Sequence, residues 1–263
     1  MLKNHSQLKI LILMAYYNRP ILVRNALNSI LKANKYHQNW HLLFGDDGSK
    51  IAGRPIAEEI LKDHLSQITF IDSNHTFEDK IKDGLTLGKY ANATMRESDA
   101  DIALMLCDDD ELVPDYLSNL NKFFIENPNF LYCYSNIYIY NPLIQKSEES
   151  KSVIGKFNKW TGPIEPVNKL DASQVAWRID CCKLHNAWFG ETTKVVEGKP
   201  WTSDTDRSLF EQLQKKCGLC YPTNVVGQYK GVHDYQLLWH KDVAAASLYA
   251  YDKMCRELSG VAF

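Results

Sequence analysis

The sequence lacks a long hydrophobic run. A helix needs about 20 consecutive apolar residues to cross a bilayer, and no segment of the 263-residue chain has them. The apolar run near the N-terminus, Leu8 to Tyr16, leads into a polar turn and not into a cleavage site. We therefore expect a cytoplasmic protein without a transmembrane anchor.

The chain also has little net charge of either sign. Its 30 Lys and Arg residues nearly balance 32 Asp and Glu residues, for a net charge of −2 and a pI near 6.4. Proteins that bind nucleic acid usually show a basic excess over the domain or over one patch. Nucleic acid is therefore possible as a binding partner, through a local basic patch, but it is not favoured.

Cysteine is scarce and odd in number, with seven residues in the chain. Without a secretion signal, this count favours reduced thiols over a disulfide framework. Cys217 and Cys220 have a spacing found in metal and redox sites, and Cys181 and Cys182 would add thiolates. A second CxxC pair and nearby histidine ligands are missing from the pattern, so buried free cysteine is favoured.

What the sequence does contain is an acidic run directly after an apolar one. Residues 102 to 106 are uniformly apolar, which is typical of a strand buried on both faces. Adjacent carboxylates repel one another unless a cation or hydrogen-bond donors compensate, and oxygen ligands suit Mg²⁺ or Mn²⁺. The alternative is an acidic turn exposed to solvent. The acidic residues are Asp108, Asp109, Asp110 and Glu111.

The order of apolar patterns predicts an α/β fold. Segments of strand length alternate with segments of helical periodicity, which indicates a mostly parallel sheet with helices on its faces. Such sheets bind ligands beyond the carboxyl ends of their strands. Predicted strands cover residues 8–16, 40–44, 68–71, 102–106, 130–140 and 219–226. Predicted helices cover residues 20–31, 56–65, 85–97, 204–216 and 244–258, and another starts at Pro114.

The segment from Asn141 to Lys169 is polar and contains three prolines. We expect an active-site loop or lid here, and a solvated surface loop is an equal alternative.

Three motifs, in this order, resemble family 2 glycosyltransferases with the GT-A fold. They are Tyr17-Asn18-Arg19-Pro20, Asp46-Asp47-Gly48-Ser49, and Asp108-Asp109-Asp110 followed by Pro114. A fainter similarity continues through residues 206–210. The resemblance implies a single Rossmann-like GT-A domain over residues 1–263. It would comprise a nucleotide-sugar half (about 1–126), an acceptor-side half (about 127–235) and a C-terminal helix (about 236–263).

The resemblance also implies the donor contacts. Tyr17 would stack on the nucleobase of a nucleoside diphosphate sugar, and Asp47 would accept a hydrogen bond from the edge of the base. Lys89 would lie near the diphosphate. The alternatives are packing for Tyr17 and an ordinary surface position for Lys89.

In the acidic run, the resemblance makes Asp109 the ligand of Mn²⁺ or Mg²⁺, with Asp108 near the ribose and Asp110 in support. Cys107 stands where many members have the first aspartate of the DXD motif, so the chain departs from the common form there. His233 occupies a position from which some GT-A enzymes supply a late histidine to the metal or diphosphate. A structural histidine is the alternative.

The resemblance places the catalytic base at Asp206, with Asp204 as the second choice. A carboxylate at a helix start is also a common cap. The expected activity is inverting transfer of a sugar from a nucleotide sugar, for which a UDP-sugar is favoured. The acceptor would be a hydroxyl of a glycan, lipid carrier, protein or modified nucleic-acid base. The alternatives are an inactive nucleotide-sugar sensor or scaffold, which needs no base, and a sugar nucleotidyltransferase, whose glycine-rich phosphate loop is missing.

Overall fold

A computed structural model of the chain describes residues 7–35, 37–74, 87–140, 153–157, 161–167, 169–190 and 205–231. The helix predicted at 244–258 lies outside these residues, as does much of the segment predicted to be a lid. The division into donor and acceptor halves therefore stays a prediction.

One sheet of nine strands organises the described residues. The strands are β1 (Ile10–Tyr16), β2 (Trp40–Asp46), β3 (Ile68–Asp72), β4 (Ile102–Met105), β5 (Glu111–Leu112), β6 (Tyr132–Tyr140), β7 (Val153–Phe157), β8 (Val175–Arg178) and β9 (Tyr221–Gly231). Their order in the sheet is β3-β2-β1-β4-β8-β6-β9-β5, and β7 pairs with β6.

Six α-helices and two short 3-10 helices connect these strands within the described ranges. The α-helices are α1 (Pro20–Ala33), α2 (Arg54–Ile60), α3 (Leu87–Glu97), α4 (Tyr116–Glu126), α5 (Ile179–His185) and α6 (Thr205–Cys217). The 3-10 helices cover Lys62–Gln67 and Ala172–Gln174.

The predicted α/β fold with a mostly parallel sheet is confirmed. Strands β3, β2, β1 and β4 are mutually parallel neighbours, so their carboxyl ends share one edge of the sheet. The second half is mixed, because β8 pairs antiparallel with both β4 and β6, while β6 and β9 are parallel. The donor motifs thus fall in the parallel half.

Strand β1 lies in the middle of the parallel half, and its side chains alternate between two cores. Ile10 and Ile12 pack in one hydrophobic cluster with Val23 of α1, whereas Leu11 and Leu13 pack in the cluster on the other face. All four β1 residues are at most 1% exposed. This double burial explains the unbroken apolar run, because neither face of the strand meets water.

Several elements differ from the sequence-based expectation. The helix predicted at 56–65 is divided, because Leu61 leaves the α-helical conformation, with a φ of −100° and a ψ of 25°, and a 3-10 helix follows. The helix predicted at Pro114 begins at Tyr116. Strands β5 and β8 and helix α5 were not predicted, since two to seven residues are too few to show a period, and β7 occupies part of the predicted loop.

Of the helices within the described ranges, none combines the length and apolar character needed to cross a bilayer.

Gly53 precedes α2 at a close contact with the core. A Cβ atom at Gly53 would collide with the Tyr16 ring and lie 2.8 Å from Phe44. We expect Gly53→Ala to lower the free energy of unfolding by about 1–3 kcal/mol, as overpacked cores do. Urea denaturation would measure this. Gly162→Ala is the control, because nothing lies within 4 Å of its Cβ position, and an equal loss there would contradict the packing argument.

Candidate active site

The turns that follow β1, β2 and β4 meet at the carboxyl edge of the sheet. The backbone N–H of Tyr17, after β1, donates to Asp108 Oδ2, after β4, at 3.1 Å. The backbone N–H of Asn18 donates to Ser49 Oγ, after β2, at 3.0 Å. The three motifs of the sequence therefore form one contiguous surface.

Asn18 and Asp46 fix the shape of this surface. Asn18 has a left-handed backbone with φ of 51°, which Asn tolerates better than most residues, and its side-chain oxygen accepts the N–H of Lys50 at 2.7 Å. Asp46 accepts the N–H groups of Ser49 at 2.9 Å and Gly53 at 2.8 Å. Asp46 thus holds together the turn in which Asp47 lies.

Asp47 and Tyr17, the predicted base-binding pair, differ in their exposure to solvent. Asp47 is 7% exposed, and Ser73 Oγ donates to its Oδ1 at 3.2 Å. This bond orients the carboxylate before any ligand binds. Tyr17 is half-buried, so its position leaves part of the side chain accessible.

The acidic run is buried, which excludes the exposed turn considered above. Asp108, Asp109, Asp110 and Glu111 are each at most 7% exposed. Arg19, itself buried, provides compensation: its Nη1 lies 2.9 Å from Asp108 Oδ1 and 3.0 Å from Asp109 Oδ2. Burial raises the pKa of Asp108 above its ordinary range, and Arg19 offsets part of that rise.

A second cation, Lys230 of β9, approaches the same acidic run from the other half of the sheet. Its Nζ lies 3.0 Å from Asp171 Oδ1 and 3.7 Å from Asp110 Oδ2. Burial lowers the pKa of Lys230, but the two carboxylates raise it more, and the pKa lies well above its usual value. Lys230 is therefore charged at neutral pH and bridges Asp110 to Asp171.

Asp206 lies in the first turn of α6. Burial raises its pKa, and the Asp171 carboxylate adds to the rise while Lys230 opposes it. Asp171 and Lys230 thus influence the charge of Asp206, whose role as the base stays a prediction.

The donor set around Asp109 is compatible with a divalent ion. Oxygens of Asp109 and Asp110 and the sulfur of Cys107 lie within 4.8 Å of one another. Carboxylates are the ligands that Mn²⁺ and Mg²⁺ prefer. Burial, and then the Asp110 carboxylate, raise the pKa of Cys107 well above its usual value, so a neutral thiol stands where many members have an aspartate.

The remaining predicted residues are placed less directly. Lys89 lies on α3 with its side chain exposed. Asp204 and His233 lie outside the described residues. Their proposed roles stay predictions.

Residues 11–185 match the model of glycosyl transferase family 2. The chain belongs to this family. The matched region includes Tyr17, Asp47 and the acidic run but ends before α6, so Asp206 and Lys230 lie beyond it. No curated protein matches the chain by sequence.

Solved structures show that this family 2 chain has the GT-A fold. Residues 1–349 of S. aureus TarS match at 16% identity with a TM-score of 0.56, covering 85% of this chain and 60% of that one. TarS 1–349 in complex with UDP-GlcNAc matches at 15% identity with a TM-score of 0.58, covering 95% of this chain and 66% of that one. The chain therefore spans less than two thirds of these TarS structures.

A structure from another organism has a similar fold. The mannosyltransferase PcManGT from Pyrobaculum calidifontis, in complex with GDP-Man and Mn²⁺, matches at 11% identity with a TM-score of 0.56. The match covers 97% of this chain and 73% of that one. At such identities the likeness concerns the fold.

The pairings of Arg19, Asp171 and Lys230 were not predicted from the sequence of this glycosyltransferase chain. Arg19 stands in a recognised motif, but nothing local showed that it pairs with the acidic run. Lys230 and Gln228 alternate along β9, so they share one face of the strand, and Gln228 Nε2 donates to Met105 O at 2.7 Å. In the sequence, the signal that could have indicated these contacts was the pair of polar residues two positions apart in a strand, Gln228 and Lys230.

Lys230→Met tests the network. Removing the ammonium leaves the Asp110 and Asp171 carboxylates uncompensated, and we expect a loss of about 3 kcal/mol in the free energy of unfolding at pH 7. We take the lowest value of the range measured for breaking buried ion pairs, because Asp171 is only half-buried. Urea denaturation would measure the loss, and Lys122→Met, which removes an exposed pair with Glu126, should cost less than about 1 kcal/mol.

The same variant has an expected pH dependence. Burial alone would raise the pKa of Asp171, but Lys230 and Ser173 lower it below its ordinary value. The ion pair therefore stabilises the fold fully above the unfolded pKa of about 3.9 and is lost as pH falls through the lower folded value. The difference between parent and Lys230→Met should shrink below about pH 4, and a constant difference would contradict the assignment.

Proposed function

We propose that this family 2 protein transfers a sugar, with inversion, from a nucleoside diphosphate sugar to a hydroxyl acceptor. The supporting observation is the single surface formed by the turns after β1, β2 and β4, with Tyr17, Asp47 and Asp109 on it. Similar folds occur in complex with UDP-GlcNAc in TarS and with GDP-Man and Mn²⁺ in PcManGT. We favour a UDP-sugar as the donor.

Donor recognition begins at the base. In this proposal the Tyr17 ring stacks on the uracil, and Asp47 accepts a hydrogen bond from the imide N–H. Ser73 holds the Asp47 carboxylate in place at 3.2 Å, so little ordering is needed on binding. Asp108, whose Oδ2 accepts the Tyr17 N–H, is proposed to lie near the ribose. Lys89 is proposed near the diphosphate.

Asp109, with Asp110 in support, is proposed to hold Mn²⁺ or Mg²⁺, and His233 is a further candidate ligand. When bound, such an ion stabilises negative charge on a departing diphosphate. Within the chain, Arg19 pairs with Asp109 and Lys230 lies near Asp110, so two cations oppose the negative charge of these carboxylates.

Asp206 is proposed as the base. It would take the proton of the acceptor hydroxyl as the hydroxyl oxygen forms its bond to the anomeric carbon and the bond to the diphosphate breaks. One displacement of this kind inverts the anomeric centre. Burial raises the pKa of Asp206, and a carboxylate of higher pKa is a stronger base. Asp204 remains the second choice.

Asp109→Asn tests the metal assignment. We expect loss of divalent-ion-dependent nucleotide release from UDP-sugars, by roughly 10²-fold or more, while the circular dichroism spectrum is unchanged. Asp115→Asn is the matched control, because Asp115 is an exposed residue of the same stretch. Undiminished turnover in Asp109→Asn would end the assignment.

Asp206→Asn separates an enzyme from a nucleotide-sugar sensor. The amide preserves size but not basicity, so calorimetry with UDP and Mn²⁺ should show almost constant affinity. Transfer should fall by roughly 10²-fold or more.

The outcome for Asp204→Asn completes this test. If that variant alone loses transfer, the base is Asp204. If both variants keep full transfer, or if no donor supports transfer in the parent protein, the proposed inverting mechanism is wrong. The alternative of an inactive nucleotide-sugar sensor would then be favoured.

A further inference from the structure

A second group of metal-ligating side chains lies where α5 and α6 meet. We refer to Cys181, His185 and Cys217 as the thiol–imidazole cluster. Their ligand atoms all lie within 4.8 Å of one another, and the two sulfur atoms are 2.7 Å apart. The sequence-based expectation that no histidine accompanies the cysteines is therefore wrong, because His185 is brought to Cys217 from another helix.

Helix geometry brings the three side chains together. Cys181 and His185 are four residues apart on α5, so they share one face of that helix. Cys217 is the last residue of α6 and faces them. Lys216 Nζ donates to the backbone oxygen of His185, and also to that of Asn186 at 3.4 Å. Hydrogen bonds of the chain itself thus hold the end of α6 against α5.

The chemistry of this group differs from that of the donor site. Two sulfur ligands and one imidazole suit Zn²⁺, whereas carboxylate oxygens suit Mn²⁺ and Mg²⁺. Zinc binds sulfur at about 2.3 Å, so two sulfurs of a tetrahedral site lie about 3.8 Å apart. The sulfurs of Cys181 and Cys217 would separate by about 1 Å, which a modest side-chain rotation allows.

The solvent exposure of the thiol–imidazole cluster fits a metal ion that has three protein ligands and a fourth coordination position open to solvent. Cys181 is 3% exposed, while His185 and Cys217 are half-buried. An ion could enter from the side of His185 and Cys217 and keep a water as its fourth ligand. Cys220, the CxxC partner of Cys217, is fully buried, and its backbone bonds to Ile164 instead.

We propose that Cys181, His185 and Cys217 form a zinc-binding site that joins α5 to the C-terminal end of α6. The site is independent of the proposed sugar transfer. It would nevertheless fix the far end of the helix whose first turn carries Asp206.

The test uses the full chain, reduced and stripped of metal with a chelator. Titration with Co²⁺ should give the thiolate-to-cobalt absorption and the visible bands of a tetrahedral site, with one equivalent bound, and Zn²⁺ should displace it. Cys217→Ser and His185→Gln, which alter half-buried positions, should each weaken binding by about 100-fold or more.

Two controls separate this site from the alternatives. Cys220→Ala should keep cobalt binding, and Asp109→Asn should keep it as well, because Asp109 belongs to the donor site. Absence of tetrahedral cobalt bands in the reduced parent would overturn the proposal. An equal loss in Cys220→Ala would also overturn it, in favour of the Cys217 and Cys220 pair. Absence of sugar transfer in the parent protein, together with retained cobalt binding, would count against the proposed function alone.

Discussion

Compensation of buried negative charge is the constraint on which the rest of this structure depends. Four carboxylates lie close to two cations, and ionised carboxylates away from water are strongly unfavourable unless paired. Arg19 comes from the turn before α1 and pairs with Asp108 and Asp109. Lys230 comes from the end of β9 and pairs with Asp110 and Asp171.

This arrangement connects the two halves of the chain electrostatically. Arg19 and the acidic run lie in the parallel half, whereas Asp171, Asp206 and Lys230 follow in the mixed half. Lys230 approaches both Asp110 and Asp171, so one cation joins the acidic run to the mixed half. Its charge also opposes the rise in the pKa of Asp206, the proposed base.

Helix α6 carries two different chemistries at its two ends. Its first turn carries Asp206, the proposed base, and its last residue contributes Cys217 to a group of sulfur and imidazole ligands. The ligands at the two ends of the helix therefore suit different ions, because carboxylate oxygens suit Mn²⁺ or Mg²⁺ and sulfur with imidazole suits Zn²⁺. If the thiol–imidazole cluster binds zinc, the ion would anchor the helix without competing for the carboxylates of the donor site.

The sequence by itself determined the parallel half of the fold and the edge of the sheet at which its three motifs meet. The apolar runs of β1, β2 and β4 are long enough to be recognised, and parallel strands must bring Tyr17, Asp47 and Asp109 to one edge. Only the tertiary structure decided which charges compensate one another and which thiols meet. Lys230 is 59 residues from Asp171 and Cys217 is 36 from Cys181, and such pairs depend on strand order and helix packing, which no local pattern encodes.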